Sequence, residues 1–417
     1  MLTRPSHIAA LLFLLAAHAH ALDLWEDETG ERRLTLDTRL KWSALASHAP
    51  DDPVLFADRW SGAGSLRARF EMKAEFGDFS NIEIAYEQVA RWLSARGGLA
   101  IGPDAGRVPY RFTPLEWSVL AGGEGAWRHG FDRLSIAFHP TWGEITLGRQ
   151  AVGLGRAWLF GSVDVFAPFA ASEFDREWRP GVDAARISYR VSDTSSVELI
   201  GIAGRSWKDS AVLGRFRGYA GEMDWEVIAG KRAEDFLWAT VFSGSVGDAE
   251  MHLELAWFHT PRPHPDGGVF GNDYLMAKAT LGASYTFSVG NGLTLLGEYH
   301  YSSFGVADIA DATERLADPE FATRLLRGDM QILGRHGVAL QLSYPFNDMV
   351  TGSMTLLVNP VDGSGLALLS AGWDLSDESR LTVSCHLPWG DDPTAGRLES
   401  EYGANPLSLF IQLSWTF

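Results

Sequence analysis

Residues 66–76, LRARFEMKAEF, alternate apolar and charged side chains without a break. Leu66 and every second residue up to Phe76 are apolar, and the positions between them are all charged. Successive side chains of a β-strand point to opposite faces, so this period of two predicts a strand with one apolar and one charged face. A strand tilted across a bilayer needs about 9–11 residues, roughly twice the usual strand length. The stretch therefore predicts a membrane-spanning strand.

The same period of two recurs along most of the chain. It predicts strands at residues 33–46, 64–76, 80–90, 131–139, 141–150, 181–191, 195–204, 211–220, 223–232, 235–244, 249–259, 274–287, 293–303, 335–346, 349–359, 365–375, 379–389 and 405–417. This pattern predicts an all-β fold, a transmembrane antiparallel up-and-down β-barrel of about 18 (16–18) strands. The mean hydropathy of −0.06 agrees with a barrel, in which only alternate residues face lipid.

The predicted connections fall into two classes by length. Long connections near residues 91–130, 151–180 and 304–334 alternate along the chain with turns such as Gly77-Asp78 and Asn347-Asp348. Outer-membrane barrels have short periplasmic turns and longer outer loops. The alternation therefore predicts that the long connections all lie at the outer end of the barrel.

Two of these long loops are expected to have structure of their own. Residues 310–316 and 321–326 have the composition of short helices within the loop 304–334. Residues 151–180 include apolar side chains such as Trp158 and Phe166, which is unusual for a free loop. We expect this segment to fold inward against the barrel wall.

The N-terminus has the pattern of a secretory signal peptide. Arg4 precedes an apolar run from Ile8 to Ala17, and Ala19-His20-Ala21 forms a small-x-small cleavage site. We therefore predict a signal peptide at residues 1–21 and a single barrel domain at residues 22–417. No later apolar run reaches the ~20 residues of a transmembrane helix.

The C-terminal stretch, residues 407–417, resembles the last strand of Gram-negative outer-membrane β-barrel proteins. In that family the final residue is aromatic and the alternate positions before it are apolar. Phe417, Trp415, Leu413, Ile411 and Leu409 fit this pattern. The resemblance implies an outer-membrane location among lipid and lipopolysaccharide. It also implies that Trp415 and Phe417 are the signal recognised by the barrel assembly machinery.

A second, local resemblance covers about 40 residues. The segments 147–150, 153–155, 164–168 and 181–186 resemble a block found in porin-like and alginate-export-type barrels. The comparison with alginate export implies a lumen rich in positive charge. The inward positions of this chain depart from that pattern, because they mix Arg and Lys with many Glu residues.

Several classes of function are disfavoured by the composition. The formal net charge of −18 argues against a nucleic-acid partner. The lone Cys385 excludes an intramolecular disulfide and a cysteine-based zinc site. The motifs H-E-x-x-H and G-x-S-x-G do not occur, so the sequence predicts no catalytic residue, metal or cofactor.

Charged residues at inward strand positions are the candidate functional residues. The predicted pore-lining set is Arg67, Arg69, Glu71, Glu83, Glu87, Arg186, Arg190, Arg215, Arg217, Glu250, Glu254, Lys278 and Glu298. The arginines and the glutamates are expected to form a basic wall opposite an acidic one, with a transverse field between them. The strands after residue 349 carry mainly Thr and Ser inward, and the segment 151–180 is expected to rest there.

These features predict a porin or substrate-selective channel for passive diffusion of small hydrophilic solutes. A barrel of this size is wide enough for an aqueous channel. The alternative is a non-enzymatic, loop-plugged binding or scaffold barrel for a partner protein or an exported polymer. The sequence leaves the solute and the oligomeric state open.

Overall fold

The computed structural model describes residues 22–94, 108–122, 125–173, 175–261 and 274–417. The predicted signal peptide, residues 1–21, lies outside the described residues. The strands are β1 (Leu22–Glu26), β2 (Arg32–His48), β3 (Trp60–Phe76), β4 (Ser80–Leu93), β5 (Glu116–Gly122), β6 (Gly125–Phe138), β7 (Gly143–Gln150), β8 (Val182–Ser192), β9 (Ser195–Ile202), β10 (Ala211–Ala220), β11 (Met223–Arg232), β12 (Asp235–Val246), β13 (Ala249–His259), β14 (Leu275–Phe287), β15 (Leu293–Ser302), β16 (His336–Pro345), β17 (Val350–Val358), β18 (Gly365–Ser376), β19 (Ser379–Trp389) and β20 (Leu407–Thr416). Two short α-helices, α1 (Ala312–Leu316) and α2 (Pro319–Leu326), and two 3₁₀ turns, Trp207–Asp209 and Ile309–Asp311, complete the described elements.

Eighteen of these strands form a closed antiparallel barrel. Each pairs with its neighbours in chain order, and β2 pairs with β20 to close the sheet. At the seam, the amide of Phe417 donates to the carbonyl of Thr38 at 2.8 Å, and the amide of Thr38 donates to the carbonyl of Phe417 at 3.1 Å. Closure leaves no unpaired edge in the barrel, and the predicted fold class and strand number are confirmed.

The prediction of a loop over residues 91–130 is wrong in part. β4 continues to Leu93, and β5 and β6 form a hairpin within the predicted loop. The upper part of β6 pairs with β4 on one edge and with β5 on the other, beyond the end of β7. Gly122 ends β5 and Gly125 begins β6, and the two glycines are partners in this hairpin.

The two ends of the barrel differ as predicted. Short turns, such as residues 193–194 and 221–222, connect the strands at one end, where β20 also finishes. Long connections at residues 151–181, 303–335 and 390–406 lie at the other end. We call these the turn end and the loop end. The helices α1 and α2 form where short helices were predicted, within the connection 303–335.

Alternation of side chains between lumen and outer surface follows the predicted period of two. Leu281 on β14 is 51 % exposed on the outside, whereas its neighbour Thr280 is fully buried in the lumen. Trp238 and Leu237 on β12 show the same contrast. None of the helices that the structure describes has the length and apolar character needed to cross a bilayer.

Candidate functional site

The connection between β7 and β8, residues 151–181, folds into the barrel, and we call it the lumen loop. Glu254 of β13 is one of its two anchors. Oε1 of Glu254 accepts the backbone amides of Arg156 and Ala157, and Oε2 accepts those of Ser162 and Val163. Because a carboxylate accepts charge-assisted hydrogen bonds from amides, this fully buried glutamate holds the loop backbone against the wall.

Glu298 of β15 is the second anchor. Its carboxylate accepts the amides of Trp158, Leu159 and Phe160 at 2.6–2.9 Å. Between the two glutamates, Oγ1 of Thr280 donates to the carbonyl oxygen of Phe160 at 2.6 Å. Seven loop amides thus satisfy two buried carboxylates that would otherwise be costly to place in the lumen.

Gly155 permits this close approach of loop and wall. Its φ of +85° lies in the left-handed region that favours glycine. A Cβ atom at this position would stand 2.3 Å from Oε1 of Glu254. Gly155 therefore allows the turn that brings the loop amides onto Glu254.

The later part of the lumen loop reaches the opposite wall. Asp175 contacts Lys41 of β2 at 2.7 Å, and Glu177 contacts the same lysine at 2.7 Å. The ring of Trp178 lies 4.1 Å from Nζ of Lys41, within cation–π distance. The loop contacts β13–β15 on one side and β2 and β3 on the other. Five barrel strands lie between β15 and β2 in one direction, and eight lie between β13 and β3 in the other direction. The loop therefore crosses the lumen.

We predicted that the lumen loop rests on the strands after residue 349, which carry mainly Thr and Ser inward. This prediction is wrong for the charge-assisted contacts of the loop. The loop is held at β13–β15 and at β2 because charged groups there pair with its amides and side chains. The Thr and Ser residues of the neutral wall offer no comparable charge-assisted bonds. Leu159, Phe160 and Ala171 of the lumen loop join a cluster with β15–β18, and Asp175 accepts a hydrogen bond from Gln412 of β20 at 3.4 Å.

Much of the loop end of the lumen is apolar. Phe166 of the lumen loop and Phe304 and Phe321 of the connection 303–335 are buried in one cluster with wall residues such as Leu213 and Leu237. The inward wall positions change from charged to apolar towards this end, as along β10 from Arg215 to Leu213. The loops are therefore packed into the barrel as a partial plug.

A buried ionic cluster fixes the connection 303–335 to the wall. Arg324 of α2 is paired with Asp235 of β12 at 2.9 Å and with Asp329 at 3.2 Å. Asp329 also contacts Arg327 at 2.6 Å and Arg232 of β11. Buried charges of this kind persist only when they are paired, so the cluster specifies the position of α2.

Three of the predicted pore-lining residues on β3 and β4 are paired with each other. Arg69 contacts Glu71 at 3.0 Å, Glu87 at 2.5 Å and Asp132 of β6 at 2.9 Å. Glu83, also on β4, lies 3.8 Å from Arg133. These side chains are on the lumen side, but Arg69 is only 2 % exposed.

The arginines of the predicted basic wall do not stand alone. Arg186 pairs with Glu198 of β9, and Arg215 contacts Glu198 at 3.4 Å and Glu226 of β11 at 2.6 Å. The prediction of a separate basic wall is therefore wrong for Arg186 and Arg215, because both arginines are paired with glutamates. Neither Glu198 nor Glu226 was predicted to line the pore, although the period of two places both on the lumen face beside these arginines.

The other predicted positions fall into different environments. Arg190 and Arg217 line a cavity of about 760 Å³ at the turn end, together with Arg156 of the lumen loop. Arg67 lines a cavity of about 250 Å³ beside Trp178. Glu250 is exposed near the turn end of β13, and Lys278 is 2 % exposed with Nζ 6.0 Å from the ring of Phe258. Trp415 and Phe417 pack at the seam against buried Leu40 and Leu66.

Within the described ranges, no group of three or more His, Cys, Asp or Glu side chains could hold a metal ion. The lumen pair of His252 and Glu298, with Nε2 and Oε1 3.2 Å apart, has the residue types of an acid–base pair. The carboxylate of Glu298 is occupied by three loop amides, however, so its evident role is to anchor the loop.

No protein-family model matches the sequence, and no curated protein matches it. Solved structures similar in fold include OccAB1 of Acinetobacter baumannii, with a TM-score of 0.55 and 8 % identity, covering 92 % of this chain and 96 % of that one. OccAB4 of the same organism has a TM-score of 0.51 and 9 % identity, covering 92 % and 98 %. OpdK of Pseudomonas aeruginosa, solved with vanillate, has a TM-score of 0.50 and 8 % identity, covering 92 % and 98 %. The chain therefore has the fold of these barrels.

Proposed function

We propose that this protein is an outer-membrane channel for the passive diffusion of small hydrophilic solutes. The observation that carries the proposal is the lumen loop, which is anchored on two sides of an 18-stranded barrel and crosses its lumen. A loop fixed in this way narrows a wide barrel to a constriction, where passing solutes meet defined side chains. The fold shared with outer-membrane porins supports the same reading.

Two water-accessible cavities bordered by the lumen loop also support a channel. The cavity of about 760 Å³ lies at the turn end, and the cavity beside Trp178 lies where the loop meets β3 and β4. Arg67, Arg190 and Arg217 line these cavities. Charges that line water cost little to maintain, whereas charges in a closed core have to pair.

Single-channel recording in planar bilayers tests the proposal. The purified, folded protein is expected to give discrete conductance steps. Opening the constriction by Trp178→Ala should raise the step size, because the indole ring borders the cavity beside β3. Trp238→Ala is a matched control, because this indole lies on the outer surface of β12. Equal step sizes in all three proteins would contradict a constriction at Trp178.

A second candidate function is a loop-plugged binding or scaffold barrel for a partner protein or exported polymer. The apolar packing of the lumen loop and the connection 303–335 at the loop end favours it. A folded barrel that never conducts would establish this alternative over the channel.

We further propose that the chain is exported through a cleaved signal peptide, with Leu22 as the first mature residue, and is folded by the barrel assembly machinery of a Gram-negative cell. Lipid and lipopolysaccharide would then surround its apolar outer face. We propose no enzymatic activity and no nucleic-acid partner. Intact-mass measurement of membrane-extracted protein tests the cleavage, and retention of Arg4 would contradict it.

A further inference from the structure

A cavity of about 430 Å³ opens inside the barrel at the loop end, on the side of β2, β3 and β17. Its volume lies within the range of about 300–1,000 Å³ that is typical of small-molecule sites. The connections 49–59, 303–335 and 390–406 close it above. It is separate from the cavity beside Trp178, and Ala171 and Ser172 of the lumen loop form part of its floor.

Most of the cavity wall is apolar. Its apolar lining includes Leu45, Phe56, Leu93, Ile332, Leu357 and Tyr402. Polar side chains, which fix the orientation of a ligand in such sites, also line it: Ser47, Asp58, Ser61, Ser172, Gln331, Glu401 and Asn405. An apolar body of a ligand would thus gain by burial here.

The charged groups at this cavity are all acidic. Asp58 and Glu401 line it, and no Lys, Arg or His does so among the residues that the structure describes. Glu401 accepts the amides of Leu333 and Gly334 at 2.8 and 2.6 Å, one at each oxygen. A carboxylate offers about four acceptor positions, so each oxygen can accept a further hydrogen bond. Burial raises the pKa of Glu401 and nearby Asp362 raises it further, whereas the hydrogen bonds from Leu333, Gly334 and Asn359 lower it.

Gln331 gives a second, independent sign of a missing donor. It lines the same cavity, and its Oε1 is buried without a hydrogen-bond partner within the part of the chain that the structure describes. An unpaired buried acceptor is unfavourable, so a ligand that supplies a donor to it would be stabilised. The cavity thus combines an apolar wall, two carboxylates and an unsatisfied carbonyl oxygen.

We propose that this cavity is a binding site for small organic cations that carry an apolar or aromatic body and an ammonium group. The ammonium would donate to Gln331 and lie near Glu401, with the apolar body against Leu45, Leu93 and Leu357. The site deepens the proposed channel function by naming a solute class, and only the step from binding to transport rests on that function.

Calorimetric titration of the full-length folded protein in phosphatidylcholine nanodiscs tests the site. The probes are 2-phenylethylamine, 2-phenylethanol and 3-phenylpropionate, which share one apolar body and differ in the charge of the head group. We expect the ammonium to bind at least about tenfold more tightly than the carboxylate, because opposite charges a few ångströms apart interact strongly at partly buried sites. Equal or tighter binding of the carboxylate would overturn the proposal.

Variants separate this site from partition into the bilayer. Gln331→Leu removes the unpaired acceptor at similar volume, and Ala63→Phe fills the cavity from β3. Both should weaken 2-phenylethylamine binding by about tenfold or more, whereas Ala279→Phe on the outer surface of β14 should leave it unchanged. Heat-modifiable mobility confirms that each variant is folded. Identical binding in all of them would show partition alone and reject the site.

The conductance measurement distinguishes the proposed binding site from the proposed channel function. A barrel that binds the ammonium probe but never conducts would remove the channel and leave the site in place. A conducting barrel that does not bind the probe would remove the site and leave the channel in place.

Discussion

At the scale of the residue, Glu254 and Glu298 hold the lumen loop against the barrel wall. Hydrogen bonds between amides and a charged acceptor are each worth about 1.5–3 kcal/mol, and these two side chains accept seven of them. The loop position is therefore determined by two carboxylates on strands far from it in sequence.

Glu254→Gln should release the loop backbone. The amide nitrogen of glutamine would face amide donors, so at least two of the four hydrogen bonds would be lost. Hydrogen exchange of the amides at residues 156–163 should become at least about tenfold faster. Glu250→Gln on the same strand is the matched control, because Glu250 is exposed near the turn end. Unchanged protection in Glu254→Gln would show that the carboxylate is not the anchor.

Side-chain direction on the strands gives a second prediction at this scale. Leu281→Arg places a charge on the outer surface of β14 and should lower the free energy of unfolding by about 2–4 kcal/mol in a bilayer. Thr382→Arg on the lumen side of β19 should cost much less, because Thr382 is only partly buried. Urea unfolding of the liposome-inserted protein measures both. Similar losses at the two positions would contradict the assigned faces.

At the scale of the element, we expect the contribution of the lumen loop to folding stability to depend on pH through Asp164. This carboxyl is paired with Arg179 at 2.6 Å, and burial raises its pKa to about 6 against the attraction of Arg179. Because the folded-state pKa lies above the unfolded value of about 3.9, the folded protein binds the proton more tightly. This contribution to stability is complete below about pH 4 and is lost as the pH rises to about 6.

Asp164→Asn should remove that part of the pH dependence. Between pH 4 and pH 7 the wild-type protein should lose up to about 3 kcal/mol more stability than the variant. Urea unfolding at several pH values in the same detergent measures the difference between the two proteins. Parallel curves for both would show that Asp164 does not titrate in this range.

The last strand closes the barrel and should control assembly. Deletion of Phe417 removes two hydrogen bonds to Thr38 at the seam and the terminal aromatic ring. We expect a marked fall in the amount of folded protein in the outer membrane, whereas Phe417→Trp keeps both features and should assemble normally. Surface labelling quantifies this, and normal levels of the truncated protein would count against it.

The strands, the inward loop and the short helices could be predicted from the sequence, but the contacts between them could not. Period two and connection length predict the barrel, and local composition predicts the inward loop and the short helices, because all of these features are local. The contacts between distant segments are not local. Alternation places Thr280 and Glu254 in the lumen, but only the structure shows that the loop covers both. Alternation also places Glu198 of β9 and Glu226 of β11 in the lumen, although neither was predicted to line the pore.

At the scale of the whole molecule, the lumen is graded along its axis. The loop end is apolar and filled on one side by packed loops, and the turn end has arginines on a water-accessible cavity. Arg186 and Arg215 are paired, so Arg190 and Arg217 are the arginines on β8 and β10 that face the cavity. These two should dominate any preference for anions at this end.

Replacing Arg190 and Arg217 together by Gln should shift the reversal potential in a salt gradient towards cation preference. The shift should be larger at low salt, because the screening length shortens as salt concentration rises. A second variant, Arg205→Gln in the loop-end connection between β9 and β10, controls for the change in overall charge. Equal shifts in both variants would reject a selectivity role for the cavity arginines.

The most direct test of the channel is single-channel recording from the purified barrel after heat-modifiable mobility has shown that it is folded. The crossing lumen loop and the charged cavity at the turn end predict discrete conductance steps that increase in Trp178→Ala. A folded barrel that inserts into the bilayer and gives no steps, in the wild type or in this variant, would contradict the channel and leave a plugged barrel.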